Sequence, residues 1–206
     1  MDQTKNNRKS PIDPSPKQRI LNKASELFYF QGFNATGINQ IIQESKTAKA
    51  SFYDHFPSKE DLGKKVIHRY AVEILLWFRA ILKSSDSPEA FLDNLEKAIL
   101  LQTKSKEEIY QGCPIALFSA QFPKDDSKFS NQFEDAVKSW EKLFLAFFKK
   151  MKEKKRIASN FNSIGLTRDW INIYEGCLIT WRMSNNKSYI KSMKSTMLTI
   201  YKSYKE

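Results

Sequence analysis

An all-α fold of about nine helices is predicted by three features of the chain. It holds only six glycines and seven prolines in 206 residues, while the good helix formers Leu, Lys, Glu and Ala are abundant. Apolar residues recur with a helical period in one segment after another, and no window alternates apolar and polar residues long enough to make a strand. With 41 % hydrophobic content, the chain can bury one substantial core or two small ones.

Residues 1–16 are polar and carry Pro11, Pro14 and Pro16, so they read as a disordered tail. Ile20, Leu21, Ala24, Leu27 and Phe28 then share one helical face, giving a first helix from Lys17 to Phe30 with Gly32 as its stop. A short second helix carries Ile38, Ile41 and Ile42. After a turn over residues 45–47, a third runs from about Ala48 to His55 and is ended by Pro57. Ser58 and Asp61 have the spacing of a capping box. They open a long fourth helix to Lys83, with Leu62, Val66, Tyr70, Ile74, Trp77 and Ile81 on one stripe. Ser87 and Pro88 start a fifth, as cap and first-turn proline, which passes Phe91, Leu95 and Ile99 to end near Lys104. The segment "KEEIYQGCPIALFSAQF" breaks at Gly112, restarts at Pro114 and stops by Pro123. A long helix over 127–155 carries Phe133, Val137, Trp140, Phe144, Phe147 and Met151, and two closing helices cover 165–183 and 186–204. The expected domains are 17–62 and 63–206, with the boundary inside the long fourth helix.

The net charge of +11 is spread along the chain, densest in its first third. It favours polyanions such as nucleic acid or anionic lipid. Two cysteines, Cys113 and Cys177, are too few for a disulfide framework. The first residues contain no apolar stretch that would read as a signal peptide, and no apolar run is long enough to span a membrane. The expectation is a soluble, cytoplasmic protein with reduced thiols and no membrane partner. His55 and His68 lack the spacing to make a zinc site with the distant cysteines, so neither metal nor cofactor is expected. No carboxylate pair, Ser-His-Asp set or phosphate-cradling glycine loop is present, which argues against an enzyme.

The stretch "SFYDHFPSKED", residues 51–61, carries the function. A helix, a short helix, a tight turn and another short helix within about forty residues have the size of a helix-turn-helix. Phe52 and Phe56 are four apart, so both point into the core beside Leu27, Ile38 and Ile41. Lys49, Ser51, Tyr53 and His55 are left on the other sides. That set offers positive charge and hydrogen bonds, which suits phosphates and base edges in a major groove.

The segment "KQRILNKASELFYFQGFNATGINQIIQESKTAKASFYDHFPSKEDL" resembles the DNA-binding domain of TetR-family transcriptional regulators, most specifically in the string from Phe52 to Leu62. The resemblance implies that Lys49, Ala50 and Ser51 meet base edges, and that Thr36 and Gly37 lie along the DNA backbone. It implies phosphate contacts for Tyr53, His55 and Lys59, and places Lys46 and Thr47 of the turn in the same contact set. One departure stands out. The family's turn usually reads Ala-Gly-Val-Ser; here it is Ser45, Lys46, Thr47 and Ala48. Lys46 in the glycine position is expected to take a left-handed conformation, at a cost of about 1 kcal/mol.

The resemblance also implies an effector pocket in the larger domain. Trp77, Phe78, Phe118, Phe122, Trp140, Phe144, Trp170 and Tyr174 are its candidate lining, with plain core packing as the alternative. The last helices are expected to pair with their copies as a dimer interface, through Ile171, Gly176, Leu178, Ile179, Met193 and Met197, because a helix apolar on two sides needs two partners. Cys113, at a helix start where thiol pKa values fall, is a candidate sensor of electrophiles or oxidants; a small buried apolar residue is the other reading. The expected function is a ligand-responsive transcriptional regulator. As a homodimeric repressor it would bind a pseudo-palindromic double-stranded DNA operator and be released by a small apolar or aromatic effector. The alternative is a helical interaction module of the same fold that has lost operator binding.

Overall fold

The computed structural model describes residues 13–104, 110–123 and 128–205. Among them lie nine helices and no strand: α1 Pro16–Phe30, α2 Ile38–Glu44, α3 Lys49–His55, α4 Lys59–Lys83, α5 Pro88–Gln102, α6 Pro114–Ser119, α7 Ser130–Glu153, α8 Ser163–Ser184 and α9 Ser188–Ser203. Most of the expected disordered tail falls on residues 1–12, outside the described residues. None of the described helices is long and apolar enough to cross a membrane.

The helix ends follow local chemistry. Ser15 accepts from the Gln18 N–H, and Pro16 fills the first position of α1. Gly32 stops that helix with φ of 93°. At α4, the Ser58 hydroxyl accepts from the Asp61 N–H at 3.0 Å and donates to the Asp61 carboxylate at 2.8 Å. The box thus closes on the hydroxyl, because aspartate is one methylene shorter than the usual glutamate. Ser87 caps α5 with Pro88 behind it. α8 begins two residues earlier than the apolar pattern suggests, because Asn162 accepts from the Gly165 N–H. Asn185 ends it in the left-handed conformation, φ 51°, which delays α9 to Ser188.

The chain divides into two compact units, 1–66 and 67–206. In the first, α1 packs on α2 and α3, and α2 on α3. Ile20, Ala24, Leu27, Phe28, Phe33, Ile41, Phe52 and Phe56 are buried there. In the second, α9 packs against both α8 and α5, α7 against α8, and α6 against α7. Its interior is rich in aromatic rings. Phe91 stacks on Trp170 at 5.3 Å, and Phe148 meets the same indole at 5.3 Å.

Leu178, Met193 and Met197, expected at a dimer interface, are buried within the chain itself, at 0 %, 2 % and 1 % exposure. The α8–α9 and α5–α9 contacts consume the apolar faces that looked unpartnered in the sequence.

Candidate nucleic-acid interface

α3 owes its orientation to two aromatic anchors. Phe52 and Phe56 are 0 % and 2 % exposed, with ring centroids 6.0 Å apart. One helical turn separates them, so they fix the roll of the helix. Lys49, Ala50, Tyr53 and His55 then stand in solvent, and Ser51 is half-buried. A helix is about 10–12 Å across with its side chains, which a major groove about 12 Å wide admits.

The turn before α3 is held from below. Lys46 is left-handed, φ 52°, as a residue in the glycine position must be. The Arg19 guanidinium donates to the carbonyls of Ser45 at 3.2 Å and Lys46 at 3.3 Å, and also to Pro14 at 2.9 Å. Ser45 is buried and its hydroxyl is 2.9 Å from that of Thr47. One arginine of α1 thus clamps two turn carbonyls, offsetting the backbone strain at Lys46. The Lys46 ammonium stays exposed. Lys46→Gly is expected to stabilise the first unit by roughly 0.5 kcal/mol, the relieved strain exceeding the extra chain entropy. A urea midpoint that moves the other way would refute this.

One expected contact differs in the structure. Thr36 is 0 % exposed and its hydroxyl donates to the Gly32 carbonyl at 2.8 Å. It closes the end of α1 and does not present itself to a DNA backbone; its neighbour Gly37 is exposed. Lys59 is half-buried with its ammonium over the Phe33 ring, 4.4 Å from the centroid. Burial lowers its pKa, against the opposing pull of Glu60. Thr47 is half-buried in the turn.

The second unit gathers five of the eight aromatic candidates. Phe78, Trp140, Phe144, Trp170 and Tyr174 line one cavity, together with Phe91, Leu95, Ile171 and Met197. Its volume of about 10 Å³ is at the limit of holding one water. Ile171 and Met197, expected at a dimer interface, are thus cavity lining. Phe118 and Phe122 belong elsewhere: they stack on each other at 5.7 Å and pack on Phe129. Trp77 is half-buried, its ring 6.5 Å from Tyr174. Phe91 and Leu95 were missed as lining, although their spacing on α5 marked them as one apolar face.

Cys113 is 1 % exposed, and burial pushes its thiol well above the ordinary value, with Glu175 adding to the rise. The helix-start effect is outweighed by desolvation, so the protonated, inert form dominates. Cys177 is half-buried, and desolvation raises its pKa too.

Residues 20–66 match the sequence model of the family described as bacterial regulatory proteins, tetR family. An uncharacterized HTH-type transcriptional regulator of Bacillus subtilis, YxaF, is 34 % identical over 131 residues, 62 % of this chain and 67 % of that protein. The chain belongs to the TetR family. It is therefore a DNA-binding transcriptional regulator and not an enzyme. The TetR fold extends over nearly all of it. A TetR-family regulator from Cytophaga hutchinsonii superposes with a TM-score of 0.80 at 16 % identity, covering 91 % of this chain and 93 % of that one. The TetR-family regulator CifR, solved as a cysteine mutant with 26-bp double-strand operator DNA, superposes with a TM-score of 0.76 at 14 % identity, covering 93 % and 98 %.

Proposed function

We propose that this TetR-family chain is a dimeric repressor whose α3 enters the major groove of each half of a pseudo-palindromic operator, and that a small aromatic molecule releases it. The observation that carries the DNA reading is the exposure of Lys49, Tyr53 and His55 on a helix pinned by Phe52 and Phe56. Lys49, Ala50 and Ser51 meet base edges; Tyr53, His55 and Lys46 meet phosphates. The operator complex of CifR, a protein of the same fold, supports the choice of double-stranded DNA.

Selection of bound fragments from a random duplex library tests this. A single enriched two-fold motif is expected; sequence-independent binding across a salt series would leave the interaction-module reading standing. Against the selected site, Lys49→Ala is expected to weaken binding about tenfold or more and to relax the preference at one base. Tyr53→Phe should weaken all sequences alike, because a phosphate contact carries no sequence information.

The dimer reading moves to the outer face of α8. Ile164 and Met183 are 56 % and 81 % exposed. Ile179 is half-buried, and Gly176 has open space where a Cβ would stand. These four fall within about a third of the helix circumference. Native mass spectrometry of Met183→Lys, expected to be monomeric, tests it.

The effector reading rests on the aromatic cavity. Since it holds little more than a water, an effector must displace its walls, and it shifts the protein only by binding the opened state better. α4 supplies Phe78 to that cavity, and the same helix starts at Lys59 in the DNA-binding unit. It is the element a bound effector would move.

A further inference from the structure

Glu175 is a carboxylate in the wrong place for a plain structural role. Neither oxygen touches solvent, and neither accepts a hydrogen bond from the described residues. The segment from Tyr110 to Cys113 runs along the same stretch of α8, and its Cys113 thiol lies beside the carboxylate. Gly112, with φ of 111°, brings the backbone against Leu178. Gln111 pairs with Arg182, and Tyr110 stacks on Trp181 with centroids 5.7 Å apart and planes at 16°. Among the described residues, the titratable groups that interact with this carboxylate are the Cys113 thiol and the phenol of Tyr174, itself hydrogen-bonded to Tyr110. Burial raises the pKa of both the thiol and the Tyr174 phenol, so both are neutral at pH 7 and neither supplies a positive charge. The thiol holds the Glu175 carboxyl down slightly, but it is a weak donor and meets neither oxygen in hydrogen-bond geometry. Desolvation dominates and pushes the carboxyl up to about 7.

We propose that Glu175 is the counter-charge for a cationic effector, an aromatic cation held by this carboxylate and by the rings of Tyr110, Tyr174 and Trp181. This rests on the effector reading above and names the ligand's class. Electron-rich ring faces attract cations, most strongly where water is excluded. A buried carboxylate without a partner is costly, and a cation removes that cost. A neutral ligand leaves the charge unpaired, and an anion is repelled. Tyr174 connects the two features: its hydroxyl belongs to the Glu175 cluster, while its ring lines the aromatic cavity and lies 5.2 Å from Phe78.

The test compares two probes of one shape, 1-methylquinolinium and 1-methylnaphthalene, by calorimetry and tryptophan quenching. The full-length protein should bind the cation about tenfold tighter than the neutral probe. Glu175→Gln should erase that preference. The cation's affinity should also fall in the wild type, and not in the variant, as pH drops through about 7 and the carboxyl protonates. Equal affinities in the wild type, no binding of the cation, or a preference that survives in Glu175→Gln would each overturn the proposal. An operator-binding assay separates it from the effector reading. If the cation binds through Glu175 and leaves operator affinity unchanged, the effector reading falls and the site stands. If only methylnaphthalene binds and releases operator, the reverse holds.

Discussion

Replacing Phe52 with alanine is expected to unfold the first unit. The ring is 0 % exposed, and Phe56 lies one turn along the same helix. Removing a fully buried phenylalanine costs about 3–5 kcal/mol when the cavity cannot collapse. A three-helix unit of this size has only a few kcal/mol in total, so the loss should exceed what it has. Hydrogen exchange then reports loss of protection in α1, α2 and α3 while α8 and α9 keep theirs, and operator binding disappears with it. Tyr53→Ala is the control: at 45 % exposure, its effect on stability should stay within about 0.5 kcal/mol. A Phe52→Ala protein that keeps protection in α3 would show that the helix is held by something other than its aromatic anchors.

The fold was legible because local chemistry and tertiary packing agree along most of the chain. The four-residue spacing of Phe52 and Phe56, the break at Pro57 and the Ser58–Asp61 pair each fix one feature of the DNA-binding unit without reference to distant residues. The departures all need information from elsewhere in the chain. Thr36 looked like a backbone contact, but the end of α1 leaves the Gly32 carbonyl unpaired and the nearby hydroxyl takes it. Leu178, Met193 and Met197 form apolar stripes, and a stripe does not say whether its partner is the same chain or a second copy. Here α5 and the α8–α9 pairing supply it. Cys113 sits at a helix start, yet its surroundings, not its helix position, decide its pKa. Glu175 reads as a polar residue on an apolar helix. Only the fold brings Cys113 beside it, more than sixty positions away in sequence.

That buried carboxylate makes stability depend on pH in an unusual direction. An unfolded glutamate loses its proton near 4.5, while in the folded chain Glu175 keeps it until about 7. Between those values the native state binds more protons than the unfolded state, so this residue's contribution is present in full below about pH 4.5 and is lost as pH rises through 7. Glutamine in its place cannot ionise. The stability of Glu175→Gln relative to wild type is therefore expected to rise by about 3 kcal/mol between about pH 4 and pH 8, with the other titrating groups cancelling in the comparison. All four tryptophans lie in the second unit, so urea unfolding followed by their fluorescence reads that unit directly. A difference that stays flat across the range would mean that the carboxylate finds water or a partner in solution, and the case for a cation at this position would weaken with it. If the difference does grow, 1-methylquinolinium added at about pH 8 should narrow it, because a ligand that binds only the native wild type stabilises that state by mass action.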